Sequence, residues 1–230
     1  MASCTLSFEV VRARQNKPPK LETLLTPSVR WNFIKPLPSN AHHIVFDTET
    51  TGVSLRAVVL QLAYVIYDTQ GLVLQSYSEL LKLPSRCTVT KIATQVHGFT
   101  TKDCKERGRC PLNTLKDFAV LLNAASKQNI PVIAHNVAFD QRMLQQTAQI
   151  HGLSKLYSDL LPRVPFLCLY KLSRKYSTHR TASGQRKGFK NPELFAYLYG
   201  EEPSLPLHDA LHDVLVTGAN YQGGVERGWW

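Results

Sequence analysis

The sequence predicts an α/β domain built on a mixed five-stranded sheet, three antiparallel strands first and parallel strands after, flanked by helices. Three observations carry this expectation. An apolar, β-branched run at His43–Phe46 ends in two carboxylates. Two further apolar runs joined by a short turn follow it. From about residue 115 onward, helical and short apolar segments alternate, the pattern of strands linked by helices. With 230 residues and 43% hydrophobic content the chain can bury one core of ordinary size.

Each element has its own signal. Residues 1–40 hold Pro18-Pro19, Pro27, Pro36 and Pro38 with little periodicity, and read as an N-terminal extension. The domain proper spans 41–222, leaving 223–230 as a C-terminal tail. The first strand is His43-Ile44-Val45-Phe46-Asp47-Thr48-Glu49. Residues 58–68 and 72–80 form an antiparallel pair around the turn Thr69-Gln70-Gly71. Residues 88–97 form a short helix closed by Gly98. A longer helix over 115–125 carries Leu115, Phe118, Ala119 and Leu122 on one stripe, with Thr114 and Asp117 as a capping pair. Pro131–Ala134 is a buried strand that passes through His135-Asn136 into a helix ending near His151-Gly152. Residues 165–169 form the last strand. Asn191-Pro192 starts a helix that Gly200 ends, and a final helix spans about His208 to Tyr221. No internal repeat is present.

The formal charge is +10, and it is concentrated. Residues 171–190 carry Lys171, Arg174, Lys175, Arg180, Arg186, Lys187 and Lys190 with no acid, and residues 1–40 carry six basic residues against Glu9 and Glu22. The rest of the chain is near neutral. Such patches are an electrostatic footprint for a polyanion, most often nucleic acid; the plain alternative is a solubilising loop. No apolar run approaches the ~20 residues of a membrane span, and the start of the chain lacks the layout of a secretory signal. Five cysteines without close spacing (Cys4, Cys87, Cys104, Cys110, Cys168) point to reduced thiols and an intracellular setting, cytoplasmic or nuclear. Four basic residues against one acid in the first twenty leave a transit signal open. A zinc site from Cys87, His97, Cys104 and Cys110 is conceivable but has no C-x-x-C pair behind it.

The chemistry lies in the carboxylates. Asp47 and Glu49 stand two apart on a strand and so share a face. Two like charges in a partly dry site repel and lose hydration, a cost that a divalent cation removes. Alone, the pair also reads as a strand end facing water. Asp140 falls just over one turn into a helix, pointing back toward the carboxyl end of the preceding strand, where ligands gather in α/β sheets. Alone, it reads as a solvated helix residue. In Leu207-His208-Asp209-Ala210-Leu211-His212-Asp213, His208 and Asp213 are about 140° apart on a regular helix and share a face only if His208 sits on an irregular first turn. Together, four acids with a histidine in reach make a hard oxygen-ligand site suited to two Mg²⁺ or Mn²⁺ ions and phosphodiester displacement, with histidine suited to take a proton from water.

With these residues in view, the chain resembles a DEDDh-type 3′–5′ exonuclease of the DnaQ-like, RNase H-fold superfamily. Three motifs stand in the family's order: Phe46-Asp47-Thr48-Glu49-Thr50-Thr51-Gly52, His135-Asn136-Val137-Ala138-Phe139-Asp140, and His208 followed by Asp213. Gln61-Leu62-Ala63-Tyr64 and Val96-His97-Gly98-Phe99-Thr100 also fit. The resemblance covers about residues 42–222. It implies that Asp47, Glu49, Asp140 and Asp213 hold the metals and that His208 is the general base, with His212 as a competitor. It implies that Thr48, Thr50, His97 and Gly98 contact the 3′-terminal nucleotide; Asn136 does so too or only caps a helix. The implied activity is stepwise hydrolysis from a 3′-OH end, of DNA or RNA, releasing nucleoside 5′-monophosphates.

The segment 171–190 departs from the family's short connections. Gly184, Gly188, Tyr176 and Phe189 lie among its charges, a mix suited to single strands. The expectation is a mobile flap that grips the backbone through Arg174, Lys175, Arg180, Arg186 and Lys187. Two alternatives stand beside an active enzyme. One is a nucleic-acid-binding module without catalysis; the other is a proofreading subunit that meets a polymerase through residues 1–40.

Overall fold

The computed structural model describes residues 18–21 and 36–230. Most of the N-terminal extension therefore lies outside the described residues, as do the expectations placed on it. Leu21, within the described part, is fully buried in the core.

The sheet has five strands in the order β3-β2-β1-β4-β5: β1 His43–Thr50, β2 Val59–Tyr67, β3 Val73–Leu80, β4 Val132–Ala134 and β5 Phe166–Cys168. The first three are antiparallel; β4 runs parallel to β1 and β5 parallel to β4. This is the predicted mixed sheet. Alternation along β1 sends Ile44 and Phe46 to one face and Val45, Asp47 and Glu49 to the other. The first face packs on α3 (Pro111–Gln128), α4 (Val137–Ile150) and α5 (Ser154–Leu160), with Phe118, Leu122, Met143, Leu144 and Tyr157 in its core. The second face packs Val45, Ala63 and Val65 against α7 (Asn191–Tyr199) and α8 (Ala210–Glu226). No helix among the described residues is long and apolar enough to cross a membrane.

Several element ends differ from expectation for local reasons. The helix expected to start beside Thr114 begins at Pro111, because proline suits the first helical position, and this places Thr114 inside the helix, buried. Two short helices lie where no element is assigned from the sequence. One is α2 (Thr101–Arg107), held by a Thr100/Asp103 capping box; the other is α5. The helix α1 (Lys91–His97) ends as predicted at Gly98, which takes the left-handed conformation at φ 79°. The last helix does not start at His208: Asp209 is its N-cap. It runs on to Glu226, and Trp229 and Trp230 pack against the second core, so a tail beginning at 223 cuts through folded structure.

The basic segment is also more structured than a flap. After α6 (Leu169–Leu172) comes a 3₁₀ turn at Ser173–Lys175, then a hairpin-like excursion bridged between Arg180 and Arg186. Phe189 and Ser177 are buried, and Tyr176 stacks on Trp229 at 3.7 Å. Neither aromatic is presented for stacking on bases. Gly188 serves close packing, since an added Cβ would run into the Tyr170 carbonyl.

Candidate active site

Sheet register and helix starts bring the five predicted residues together. Asp47 and Glu49 lie on the α8 side of β1, opposite Ala63 and Gln61 of β2. Asp140 sits in the first turn of α4 and Asp213 in the first turn of α8. Ligand atoms of Glu49, His208 and Asp213 all lie within 4.8 Å of one another, the one metal-capable group found among the described residues. The zinc grouping of Cys87, His97, Cys104 and Cys110 does not assemble.

The electrostatics of the cluster are unbalanced. Burial, then the nearby Asp213, Asp209 and Asp140 carboxylates, push Glu49 up to about 8. Burial pushes Asp140 up to about 7, against hydrogen bonds that hold its charged form. Burial, followed by Asp140, Asp213 and Glu49, holds Asp47 well above the usual carboxylate range. Burial also raises Asp213, partly offset by the His208 N–H. No lysine or arginine among the described residues forms an ion pair with any of the four. A site of mutually repelling, oxygen-only acids with no described lysine or arginine paired to them fits a divalent cation.

Local structure explains how each group is held. His208 is in the left-handed region at φ 69°, outside the helix, and its backbone N–H donates to Asp213 Oδ2 at 2.6 Å. That turn replaces the 140° separation of a regular helix and brings ring and carboxylate onto one side. His212 is tied elsewhere, its Nδ1 2.8 Å from the Pro206 carbonyl, an acceptor only, so Nδ1 carries the proton. Asp213 also accepts from the amide of Asn191 at 3.3 Å. Asn191 is the first helical residue of α7 rather than its cap, which turns its side chain inward.

The predicted nucleotide contacts divide. Thr48 is buried, and its hydroxyl donates to Asp140 Oδ1 at 2.8 Å, so the side chain supports a carboxylate. Thr50 is buried too and donates to the Gly52 carbonyl. His97 Nδ1 accepts from the Phe99 N–H, which leaves Nε2–H to donate to the Thr50 carbonyl at 3.1 Å. Burial lowers the His97 pKa, consistent with a neutral ring clamping the end of β1. Asn136 makes no capping bond and its residue is exposed. In the basic segment, Lys175 donates to the Trp229 carbonyl and Arg186 to the Lys175 carbonyl, each at 2.7 Å. Arg174 lies over the Tyr170 ring, and Arg180 reaches the Gly184 carbonyl. The segment springs from both flanks of the site: the Tyr170 N–H bonds the His135 carbonyl, and Asn191 at its far end holds Asp213.

A family model for exonucleases, RNase T, matches residues 44–221. The chain belongs to this exonuclease family. It is a DEDDh-type member of the RNase H-fold superfamily, as its motif order implied. Among solved structures, it is similar to E. coli Exonuclease I in complex with a dA16 oligonucleotide, at 16% identity and a TM-score of 0.64, over 80% of this chain and 41% of that one. It is similar also to a moderately thermophilic Exonuclease I from Methylocaldum szegediense, at 17% identity and a TM-score of 0.61, over 80% of this chain and 40% of that one. A zinc-bound form of the E. coli Exonuclease I–single-stranded DNA complex matches at 15% identity and a TM-score of 0.62, over 80% of this chain and 40% of that one. The chain thus spans about two fifths of the length of these structures. No curated protein matches it in sequence.

Proposed function

We infer that this chain is a metal-dependent 3′–5′ exonuclease that removes nucleoside 5′-monophosphates one at a time from the 3′-OH end of a nucleic-acid strand. The observation that carries the reading is the meeting of Glu49, His208 and Asp213 within 4.8 Å, in a nest of buried and half-buried acids to which no described lysine or arginine is paired. Asp47, Glu49, Asp140 and Asp213 would hold two Mg²⁺ or Mn²⁺ ions, which supply a water of lowered pKa and stabilise charge on the leaving oxygen. His208 accepts the proton of the attacking water. The water oxygen bonds to phosphorus, the P–O3′ bond of the penultimate nucleotide breaks, and that oxygen leaves as the new 3′-OH after taking a proton from solvent. Thr48 and the His208 backbone N–H hold the Asp140 and Asp213 carboxylates in place.

Three features support a single strand as substrate: the basic segment rooted on both sides of the site, and the solved Exonuclease I complexes with dA16 and dT13 oligonucleotides. Localisation inside the cell follows from such a substrate, and residues 1–40 remain the candidate contact for a polymerase partner.

The test is a 5′-labelled oligonucleotide incubated with Mg²⁺ or Mn²⁺, with Asp47→Ala as control, run in matched single-stranded and duplex DNA and RNA forms. The expected outcome is a ladder shortening from the 3′ end, abolished by chelation, by Asp47→Ala and by a blocked 3′ end. Absence of divalent-dependent shortening at concentrations where binding is evident would overturn the reading in favour of a non-catalytic binding module.

A further inference from the structure

We propose that Gln61, on β2, is a positioning residue that fixes the start of α8 and thereby the placement of His208. The inference rests on the exonuclease reading for its kinetic part and on geometry alone for the rest.

Gln61 is 5% exposed in the middle of the sheet, on the face it shares with Glu49, its cross-strand partner. A buried primary amide must find partners for both ends. Its Oε1 accepts from the Ala210 backbone N–H at 3.0 Å, and Nε2 donates to Asp209 Oδ2 at 3.1 Å and Ser78 Oγ at 3.2 Å. The orientation is forced, because a backbone N–H can only donate, so the atom facing Ala210 is the oxygen. Ala210 is the first helical residue of α8 and Asp209 its N-cap. One side chain from the sheet therefore occupies an orphan N–H of the helix start and also holds the cap that serves another, Leu211.

His208 is the residue immediately before this clip. It sits at φ 69°, a conformation costly for a residue with a Cβ unless its surroundings impose it. Two fixed points bracket it: the bond of its own N–H to Asp213, and the Gln61 clip on Asp209 and Ala210. The residue type is specific. Glutamate at 61 would place a carboxylate against Asp209 beside Glu49 and Asp213; an apolar residue would leave the Ala210 N–H and Asp209 Oδ2 without this partner.

The test compares Gln61→Met, which keeps length and removes both bonds, with Gln61→Glu, which keeps the acceptor and loses the donor. Each is made alone and in a His208→Ala background, with folding checked by thermal unfolding. Two readouts decide. The first is the His208 ring cross-peaks in NMR spectra of the divalent-free protein, identified by their loss in His208→Ala; they are expected to move in both variants. The second is turnover of a labelled oligonucleotide with Mg²⁺: kcat falls by on the order of 10²-fold with KM little changed, as for a catalytic group misplaced by about 1 Å. In the His208→Ala background the Gln61 substitutions cost nothing further, since residues that act as one unit are non-additive. Wild-type ring cross-peaks in folded Gln61→Met and Gln61→Glu, or losses that multiply in the double variants, would overturn the proposal. If the wild-type chain itself shortens no strand, the exonuclease reading fails while the cross-peaks still decide the role of Gln61.

Discussion

The backbone N–H of His208 donates to the Asp213 carboxylate across a left-handed turn, so one residue binds this acid with its main chain while offering its ring to the same metal-capable group. The two functions separate by substitution. His208→Gly relieves the cost of φ 69° and keeps the N–H; His208→Ala keeps that cost. The expected outcome is that both lose turnover by about 10²–10⁴-fold, the range for a general base. His208→Gly should equal or exceed His208→Ala in thermal stability. Single-turnover rates and melting temperatures check both halves.

The acid nest makes stability depend on pH in a defined direction. Glu49 rises from 4.5 to about 8 on folding, so between these values the native state binds more protons than the unfolded state and stability falls as pH rises. The slope for one such group is at most about 1.4 kcal/mol per pH unit. Denaturant titrations in chelator from pH 5 to 8 should show this fall. Glu49→Gln should flatten it, and Mg²⁺ should lift the curve most at the alkaline end. A wild-type curve as flat as that of Glu49→Gln would contradict the raised pKa of Glu49 among its neighbouring acids.

Thr48→Val removes the buried hydroxyl that donates to Asp140 Oδ1. The variant should lose about 1–2 kcal/mol of stability. Without that donor the charged form of Asp140 is held less well, so its pKa climbs above about 7 and metal affinity near neutral pH drops. Calorimetric Mn²⁺ titration at pH 7 and pH 8.5 checks this, with the deficit expected to shrink at the higher pH.

How much of this was legible in the sequence depends on the range over which each residue acts. Asp47 with Glu49, Asn136 through Asp140, and His208 through Asp213 are short spacings along the chain, so the candidate site is readable from them, although the turn that brings His208 beside Asp213 is not. The sheet order followed from runs of β-branched residues and the alternation after residue 115. Thr48 reads from the sequence as a nucleotide contact, and the bond of its hydroxyl to Asp140, 92 residues away, is not legible there because no local spacing carries it. Gln61 was visible only as part of a motif, since its role needs the β1–β2 register and a contact spanning 148 residues. Short helices such as α5 lack the length to show a period, whereas α2 carried a readable Thr-x-x-Asp box at Thr100 and Asp103.

The cations of the basic segment should fall into two classes. Lys175 and Arg186 bond the carbonyls of Trp229 and Lys175 at 2.7 Å and so tie the segment down, whereas Arg180 and Lys187 lie on the excursion beyond the Tyr176 anchor, Arg180 reaching only the Gly184 carbonyl of that same excursion at 3.4 Å. Arg180→Gln with Lys187→Gln should weaken single-strand binding without changing the melting temperature. The salt dependence should flatten by about 0.7 in log–log slope for each phosphate that is no longer neutralised. Fluorescence anisotropy against salt concentration, with a non-cleavable strand, measures it.

Trp229 should matter to that same binding although it carries no charge. Its ring stacks on Tyr176 at 3.7 Å and its carbonyl accepts from both Lys175 and the Tyr176 hydroxyl, so the last turn of the chain pins the base of the basic segment. Trp229→Ala removes the stack, worth about 1 kcal/mol beyond its buried area, while leaving the carbonyls in the chain. Limited proteolysis should then cut within 176–188 faster than in the intact protein. Affinity for a single strand should fall while the rate at saturating strand changes little, because the carboxylates and His208 are held by separate bonds. Trp229→Phe should restore both resistance and affinity. Equal protease resistance in Trp229→Ala and the parent would show that the segment holds its shape without this anchor.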